Sequence, residues 1–279
     1  MSRTGEKKTR PRLPEDAEQV VDRVRERYGR IADGEESGCC GTAEAEQAGR
    51  IGYQHDDLES VPEDANLGLG CGAPVPLLQL KPGEVVLDLG SGGGLDAFLA
   101  ARHVGLSGRV IGVDMTPEMI GRAHENAQKA GLSHVEFRQG RLEELPVDDD
   151  AVDAVTSNCV INLVPDKAAV FQEIARVLRP GGRLVISDIV LDGELPGPIT
   201  NDLLAYVGCV AGAMQREDYF DAVRAAGLSE IEVLSDTDFL EKMGDSLPPD
   251  LQDLMKQAGI EAAALEGKVK SVTFRAVKC

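Results

Sequence analysis

Apolar positions in the middle of the chain come in short runs, separated by longer stretches of helical period. Val85-Val86-Leu87-Asp88-Leu89, Arg109-Val110-Ile111-Gly112-Val113, Val135-Glu136-Phe137, Ala154-Val155-Thr156 and Leu184-Val185-Ile186-Ser187 read as strands. A glycine turn after the first run leads into a helix through Phe98 and Ala101. Thr116-Pro117 opens a second helix with a threonine cap and a proline at the first helical position, and Ala130-Gly131 ends it. A third helix runs from Lys167 to Leu178 and stops at Arg179-Pro180-Gly181-Gly182. Strands alternating with helices at this spacing predict an α/β fold with a doubly wound, mostly parallel sheet. Ile231-Glu232-Val233 and Val272-Thr273-Phe274 are candidate late strands, which would bring the sheet to seven strands.

The flanks are less regular. Val20, Val21 and Val24 among charged neighbours predict an amphipathic helix between residues 15 and 28. Ser37-Gly38-Cys39-Cys40-Gly41 has the composition of a loop. Leu203, Leu204, Tyr206 and Val207 suggest a helix carrying Cys209, and another is expected over residues 217–226. The stretch from Asp236 to Gly267 shows no firm pattern. The chain thus divides into an N-terminal helix and cysteine loop (1–65), a nucleotide-binding α/β region (66–195) and a C-terminal, substrate-side region (196–279).

Charge narrows the partners. The 279 residues carry 29 Lys+Arg against 48 Asp+Glu, a net charge of −19. Nucleic acid and anionic membrane are poor partners for such a surface, because phosphate is bound by cationic side chains. The basic N-terminus lacks the apolar core of a secretion signal. No apolar run reaches the length of about 18 residues that a membrane span requires. A cytoplasmic protein follows as the expectation, with no feature that demands more than a monomer. Its six cysteines then point to reactivity or metal chemistry more than to disulfides.

Gly90-Ser91-Gly92-Gly93-Gly94 joins the first strand to the first helix, and Asp114 ends the second strand. Glycines there allow a sharp turn and a close approach of ligand to backbone, and a carboxylate about 20 residues on can hold ribose hydroxyls. A nicotinamide dehydrogenase would space its glycines G-x-G-x-x-G, whereas here position 95 is leucine. The order Leu87-Asp88-Leu89-Gly90-Ser91-Gly92-Gly93-Gly94, then Asp114, then Arg179-Pro180-Gly181-Gly182 resembles the class I, Rossmann-like methyltransferases. That resemblance implies S-adenosylmethionine as cofactor. Asp88, Gly90, Ser91, Gly92 and Gly94 would lie at its methionine part, Asp114 at its ribose, Met115 against adenine, Leu142 and Glu143 at the amino edge, and Asn158 nearby. Arg141 departs from the pattern, which commonly has an acidic or neutral residue there.

Three cysteines sit in telling places. Cys159 follows the fourth predicted strand at its carboxyl end, where parallel sheets bind ligands. Cys71 lies in the glycine-rich approach Asn66-Leu67-Gly68-Leu69-Gly70-Cys71-Gly72, and Cys209 in Gly208-Cys209-Val210. Each alone is equally a small buried residue. Zinc is disfavoured, since no CxxC pair exists and the four histidines fall in unrelated places. Together with Gly112-Val113-Asp114-Met115-Thr116-Pro117-Glu118-Met119, Ser157-Asn158-Cys159-Val160-Ile161-Asn162-Leu163 and Tyr206-Val207-Gly208-Cys209-Val210-Ala211-Gly212-Ala213, these phrases resemble the arsenite S-adenosylmethionine methyltransferases over residues 20–235. The resemblance implies that Cys159 and Cys209 bind As(III), with Cys71 and an N-terminal cysteine, Cys39 or Cys40, joining the thiol chemistry. Arsenite or its thiol conjugates would be the substrate and detoxification the purpose. Bound arsenic would attack the methyl group with its own lone pair. A disulfide between Cys71 and Cys39 or Cys40 would return two electrons, and a cellular thiol reductant, thioredoxin or glutathione, would reset it. The competing reading is a methyltransferase for a small organic acceptor with merely packed cysteines. Against it, aromatic residues make up 4% of the chain and Trp is absent.

Overall fold

The computed structural model of the protein describes residues 16–36, 44–243 and 249–279. Seven strands form one sheet: β1 (Val85–Leu89), β2 (Arg109–Asp114), β3 (Val135–Gln139), β4 (Val152–Asn158), β5 (Leu178–Leu191), β6 (Leu228–Asp238) and β7 (Val269–Lys278). Their order is β3-β2-β1-β4-β5-β7-β6, with β7 antiparallel to both neighbours and the other pairs parallel. Helices cover both faces, so the central strands read as continuous apolar runs rather than alternating ones. Val86, Leu87 and Leu89 of β1 are all fully buried. Chain order reverses at β1 and β4, and the crevice outside their carboxyl ends is where such sheets bind ligands.

The local signals act much as their chemistry predicts. Pro117–Ala130 is helical, with Pro117 in its first turn and Gly131 closing it at φ 65°. Thr116 occupies the cap position, but its side chain makes no capping hydrogen bond, contrary to expectation. The N-terminal helix is Ala17–Ala32, capped by Asp16, whose side chain accepts from the N–H groups of Glu18 and Gln19. The third helix ends at Val177, and β5 begins directly after it. Residues 179–182 then bulge out of the pairing, because β4 partners pass from Leu178 straight to Arg183.

The segment without a firm sequence pattern acquires a place. It finishes β6, then forms helices Phe239–Met243 and Pro249–Ala258 before β7. Leu251, Leu254 and Met255 pack in one apolar cluster with Ile199, Leu203, Val207 and Val24. Cys71 and Cys209 belong to that cluster. The C-terminal region therefore both completes the sheet and roofs the thiols. Among the described residues, no helix is long and apolar enough to cross a membrane.

Candidate active site

A single pocket at the carboxyl ends of β1, β2 and β4 is lined by Asp88, Gly90, Ser91, Gly92, Asp114, Met115, Leu142, Glu143 and Asn158. Its wall also includes Cys71, Cys159 and Cys209. Gly94 is the predicted cofactor residue that stands behind this wall. It starts helix Leu95–Val104 at φ 98°, and a Cβ there would fall 2.6 Å from the Phe98 ring. Its need for glycine is thus backbone geometry and packing.

The glycine loop is tied down by Asp114. One carboxylate oxygen accepts from the Gly92 N–H at 3.0 Å and the other from the Thr116 N–H at 2.9 Å. Burial nevertheless pushes the Asp114 carboxyl above its ordinary range. Asp88 is raised further, by burial and then by the nearby Asp96 and Asp114 carboxylates. Its Oδ2 and the Ser91 Oγ are buried without a hydrogen-bond partner. An unpartnered carboxyl oxygen, an unpartnered hydroxyl and three crowded carboxyl groups suit a ligand bearing polar groups and positive charge.

Tyr53 and Asp96 were not singled out by sequence reasoning, yet both belong to the site. Tyr53 donates its hydroxyl to Asp96 at 2.7 Å, and Asn158 donates to Tyr53 at 2.9 Å. Burial raises Asp96 to about 6. The Asn158 carboxamide is largely spent on the loop that carries Cys71. Its Oδ1 accepts from the Cys71 N–H at 3.0 Å, and its Nδ2 donates to the Gly72 carbonyl at 2.7 Å. Arg141 also finds its reason: it pairs with Glu143 at 2.7 Å and reaches Glu18 on the N-terminal helix at 2.8 Å. Val21, Val24 and Tyr28 of that helix line the same pocket.

The three thiols converge. Cys209 and Cys71 lie beside Cys159, and the two neighbouring thiols, ahead of burial, hold the Cys159 thiol well above its ordinary range. Cys209 Sγ also donates to the Cys159 carbonyl at 2.9 Å. Cys209 does not lie on a helix as expected. Helix Leu203–Val207 ends before it, and Cys209 turns the chain at φ 64°. Cys159 is likewise left-handed, at φ 59°. Such backbone costs an L-residue roughly 1–2 kcal/mol. Glycine would remove that strain, so thiols at both turns suggest a functional reason. Cys39 and Cys40 lie outside the described residues. Cys279 is exposed, 2.8 Å from the Ser229 hydroxyl and far along the sheet from the pocket.

Strand β7 anchors the Cys71 loop. Ser271 Oγ donates to the Cys71 carbonyl at 2.6 Å, and Thr273 Oγ1 lies 2.8 Å from Ser187 Oγ. Gly72 rests on that hydroxyl pair, where a Cβ would sit 2.4 Å from Ser187 Oγ and 2.7 Å from its Cβ. Gly72→Ala should therefore lift the loop off β5 and β7. A destabilisation of about 1–3 kcal/mol is expected from such overpacking, read by urea unfolding. A midpoint equal to wild type would show that the loop gives way freely.

Sequence reasoning also missed Asp188, which lies in β5 and is buried beside the thiols. An acidic residue inside Ile186-Ser187-Asp188-Ile189-Val190 was the available signal. Its Oδ1 accepts from Asn162 at 2.8 Å and from the Ile189 N–H at 2.9 Å, and its Oδ2 from the Tyr219 hydroxyl at 3.1 Å. Burial pushes it to about 7 despite these bonds.

This strand order, with a glycine loop after β1 and an acidic residue ending β2, defines a class I methyltransferase built to bind S-adenosylmethionine. Residues 80–231 match the family model described as a methyltransferase domain. The arsenite methyltransferase of Halobacterium salinarum is 44% identical over 262 residues, covering 88% of this chain and 67% of that protein. The arsenite methyltransferase of Aquipseudomonas alcaligenes is 38% identical over 199 residues, covering 66% and 57% respectively. The crystal structure of an arsenic(III) S-adenosylmethionine methyltransferase from Chlamydomonas reinhardtii superposes with a TM-score of 0.61 at 33% identity, covering 83% of this chain and 72% of that one. The chain belongs to the arsenite methyltransferase family. It spans a little over half the length of the Aquipseudomonas relative.

Proposed function

We propose that the protein transfers methyl groups from S-adenosylmethionine to As(III) held by Cys71, Cys159 and Cys209. The observation that carries this reading is one pocket shared by the glycine loop, Asp114 and three mutually close thiols. Trivalent arsenic is soft and suits a sulfur-rich donor set.

Protonated thiols are the right starting state. Each hydroxyl of arsenous acid leaves as water with the proton of the incoming thiol, so the exchange As–OH + HS–Cys → As–S–Cys + H2O releases no net proton. The raised Cys159 is thus compatible with substrate capture. Bound S-adenosylmethionine supplies an electrophilic methyl group. On the protein side, Asp88, Ser91 and the Gly90–Gly92 turn would hold its amino-acid part, Asp114 its ribose, and Met115, Leu142 and Glu143 its base. Thiolate-bound As(III) keeps its lone pair and is a nucleophile as it stands, so no general base has to be found. The chain's task is placement, and aligned near-attack geometry is worth about 7–11 kcal/mol. After transfer, attack of a further thiolate on one arsenic-bound sulfur forms a disulfide and returns two electrons to arsenic. Cys39 or Cys40 would supply that thiolate, and thioredoxin or glutathione would reduce the disulfide. The working form would be a cytoplasmic monomer serving arsenic detoxification.

Incubation with arsenite, labelled S-adenosylmethionine and a thiol reductant, followed by arsenic speciation, tests the reading. Labelled methylarsenicals are expected. Cofactor binding without any methylated arsenic would leave the small organic acceptor as the better account.

A further inference from the structure

Arsenic(III) bound to sulfur is pyramidal and needs three soft donors, which the cysteines provide. The cluster offers one donor more. The Sγ atoms of Cys71 and Cys159 and a carboxylate oxygen of Asp188 all lie within 4.8 Å of one another. Cys209 lies beside Cys159 and donates its Sγ proton to the Cys159 carbonyl at 2.9 Å. Asp188 is 1% exposed, and Asn162, Tyr219 and the Ile189 N–H hold its carboxylate in one orientation. Outer partners of this kind fix the ligands of metal centres.

Two or three sulfurs with one carboxylate oxygen make a tetrahedral set for a thiophilic d10 dication. Metal–sulfur distances of about 2.3 Å and metal–oxygen distances of about 2.1 Å require donors ~3.5–3.8 Å apart, so the donors must close by at most ~1 Å, a movement that falls to the cysteine side chains because Asp188 is fixed. Lys167 faces Asp188 and Cys209, but its ammonium is engaged with the Val164 carbonyl at 3.0 Å. A dication binding here displaces the protons of the thiols and of Asp188 to solvent, and the donors become anionic as it is held.

We propose that Cys71, Cys159 and Asp188 bind Zn2+ or Cd2+, with water completing the tetrahedral set, and that such ions compete with the trivalent arsenical for the cluster. The competition rests on the function proposed above, whereas the cation binding does not.

The test uses the reduced full chain carrying Cys39→Ser, Cys40→Ser and Cys279→Ser, so that other thiols do not bind the probe. Cd2+ alone is titrated against a competing chelator while thiolate-to-metal charge-transfer absorption is followed. One Cd2+ per chain is expected. Asp188→Asn should weaken it by about tenfold or more while S-adenosylmethionine affinity, a check on folding, is kept. The 113Cd resonance of the parent protein decides the donor set without that variant: a position between all-sulfur and oxygen-rich sites is expected. An all-sulfur resonance, undiminished affinity in Asp188→Asn, or no stoichiometric binding overturns the proposal. Phenylarsine oxide should bind the metal-free protein and be blocked by Cd2+. Simultaneous binding of both defeats the competition. Failure of the arsenical to bind at all would count against the arsenic reading and leave the cation result standing.

Discussion

Cys159→Ser and Cys209→Ser should each lower arsenite methylation by about 10²-fold or more, since misplacing a reacting centre by an ångström already costs that much. Serine keeps the size of the side chain but offers a hard, essentially un-ionised oxygen to a soft element. The two positions have distinct environments. Cys159 neighbours both other thiols, so its loss removes the residue common to both contacts. Cys209 is held against the Cys159 carbonyl, and its loss opens one side. Among the described residues, neither forms a hydrogen bond to the glycine loop or Asp114, so S-adenosylmethionine affinity should stay within about twofold of wild type, well under the 1.4 kcal/mol of a tenfold change. The measurement is paired: methylated arsenic by speciation, and cofactor affinity by calorimetry. Full activity in either variant would remove that cysteine from the arsenic site. A matching collapse of both readouts would mean that the substitution damages the fold instead.

Asp114→Ala should weaken S-adenosylmethionine binding by roughly 10–100-fold, the equivalent of losing charge-assisted hydrogen bonds worth about 1.5–3 kcal/mol. Two losses are combined. The carboxylate proposed to meet the ribose hydroxyls is gone, and the Gly92 and Thr116 N–H groups lose the acceptor that holds loop and helix start together. Asp114→Asn separates these effects, because its amide oxygen can keep one N–H bond while the charge is gone. An intermediate affinity is therefore expected for asparagine. Unchanged calorimetry in Asp114→Ala would put the cofactor elsewhere in the pocket. Binding of a trivalent arsenical such as phenylarsine oxide should persist in both variants, since the thiols form their own cluster.

The meeting of the glycine loop with Asp114 was legible because it is local. A glycine turn leaving a strand, and a carboxylate ending the next strand, are neighbours in the fold by rule once the strands pair in parallel. The register Asp88↔Gly112 and Leu89↔Val113 brings the loop beside Asp114 with no further information needed. The same locality explains the errors. Cys209 was expected on a helix because the apolar period continues up to it, yet Gly208 ends the helix and the next residue turns left-handed. The threonine at position 116 has the right identity for a cap, but its side chain makes no capping bond. Residues 239–243 and 251–258 gave no firm pattern because apolar side chains such as Phe239, Leu251, Leu254 and Met255 pack on distant partners, among them Ile199, Leu203 and Val24.

Composition and periodicity thus specify the layered α/β sheet, the nucleotide loop and the acidic residue beside it, since each depends on neighbours within about one strand-helix unit. The meeting of Cys71, Cys159 and Cys209 is of another kind. Their loops precede β1, follow β4 and follow the helix after β5, and adjacent places in the sheet order bring them to one end of it. Asp188 joins them because β7, arriving from the far end of the chain, pairs with β5 and pins the Cys71 loop through Ser271. Long-range strand pairing carries no local signature in side-chain pattern, so this part of the site exists only once the sheet has closed.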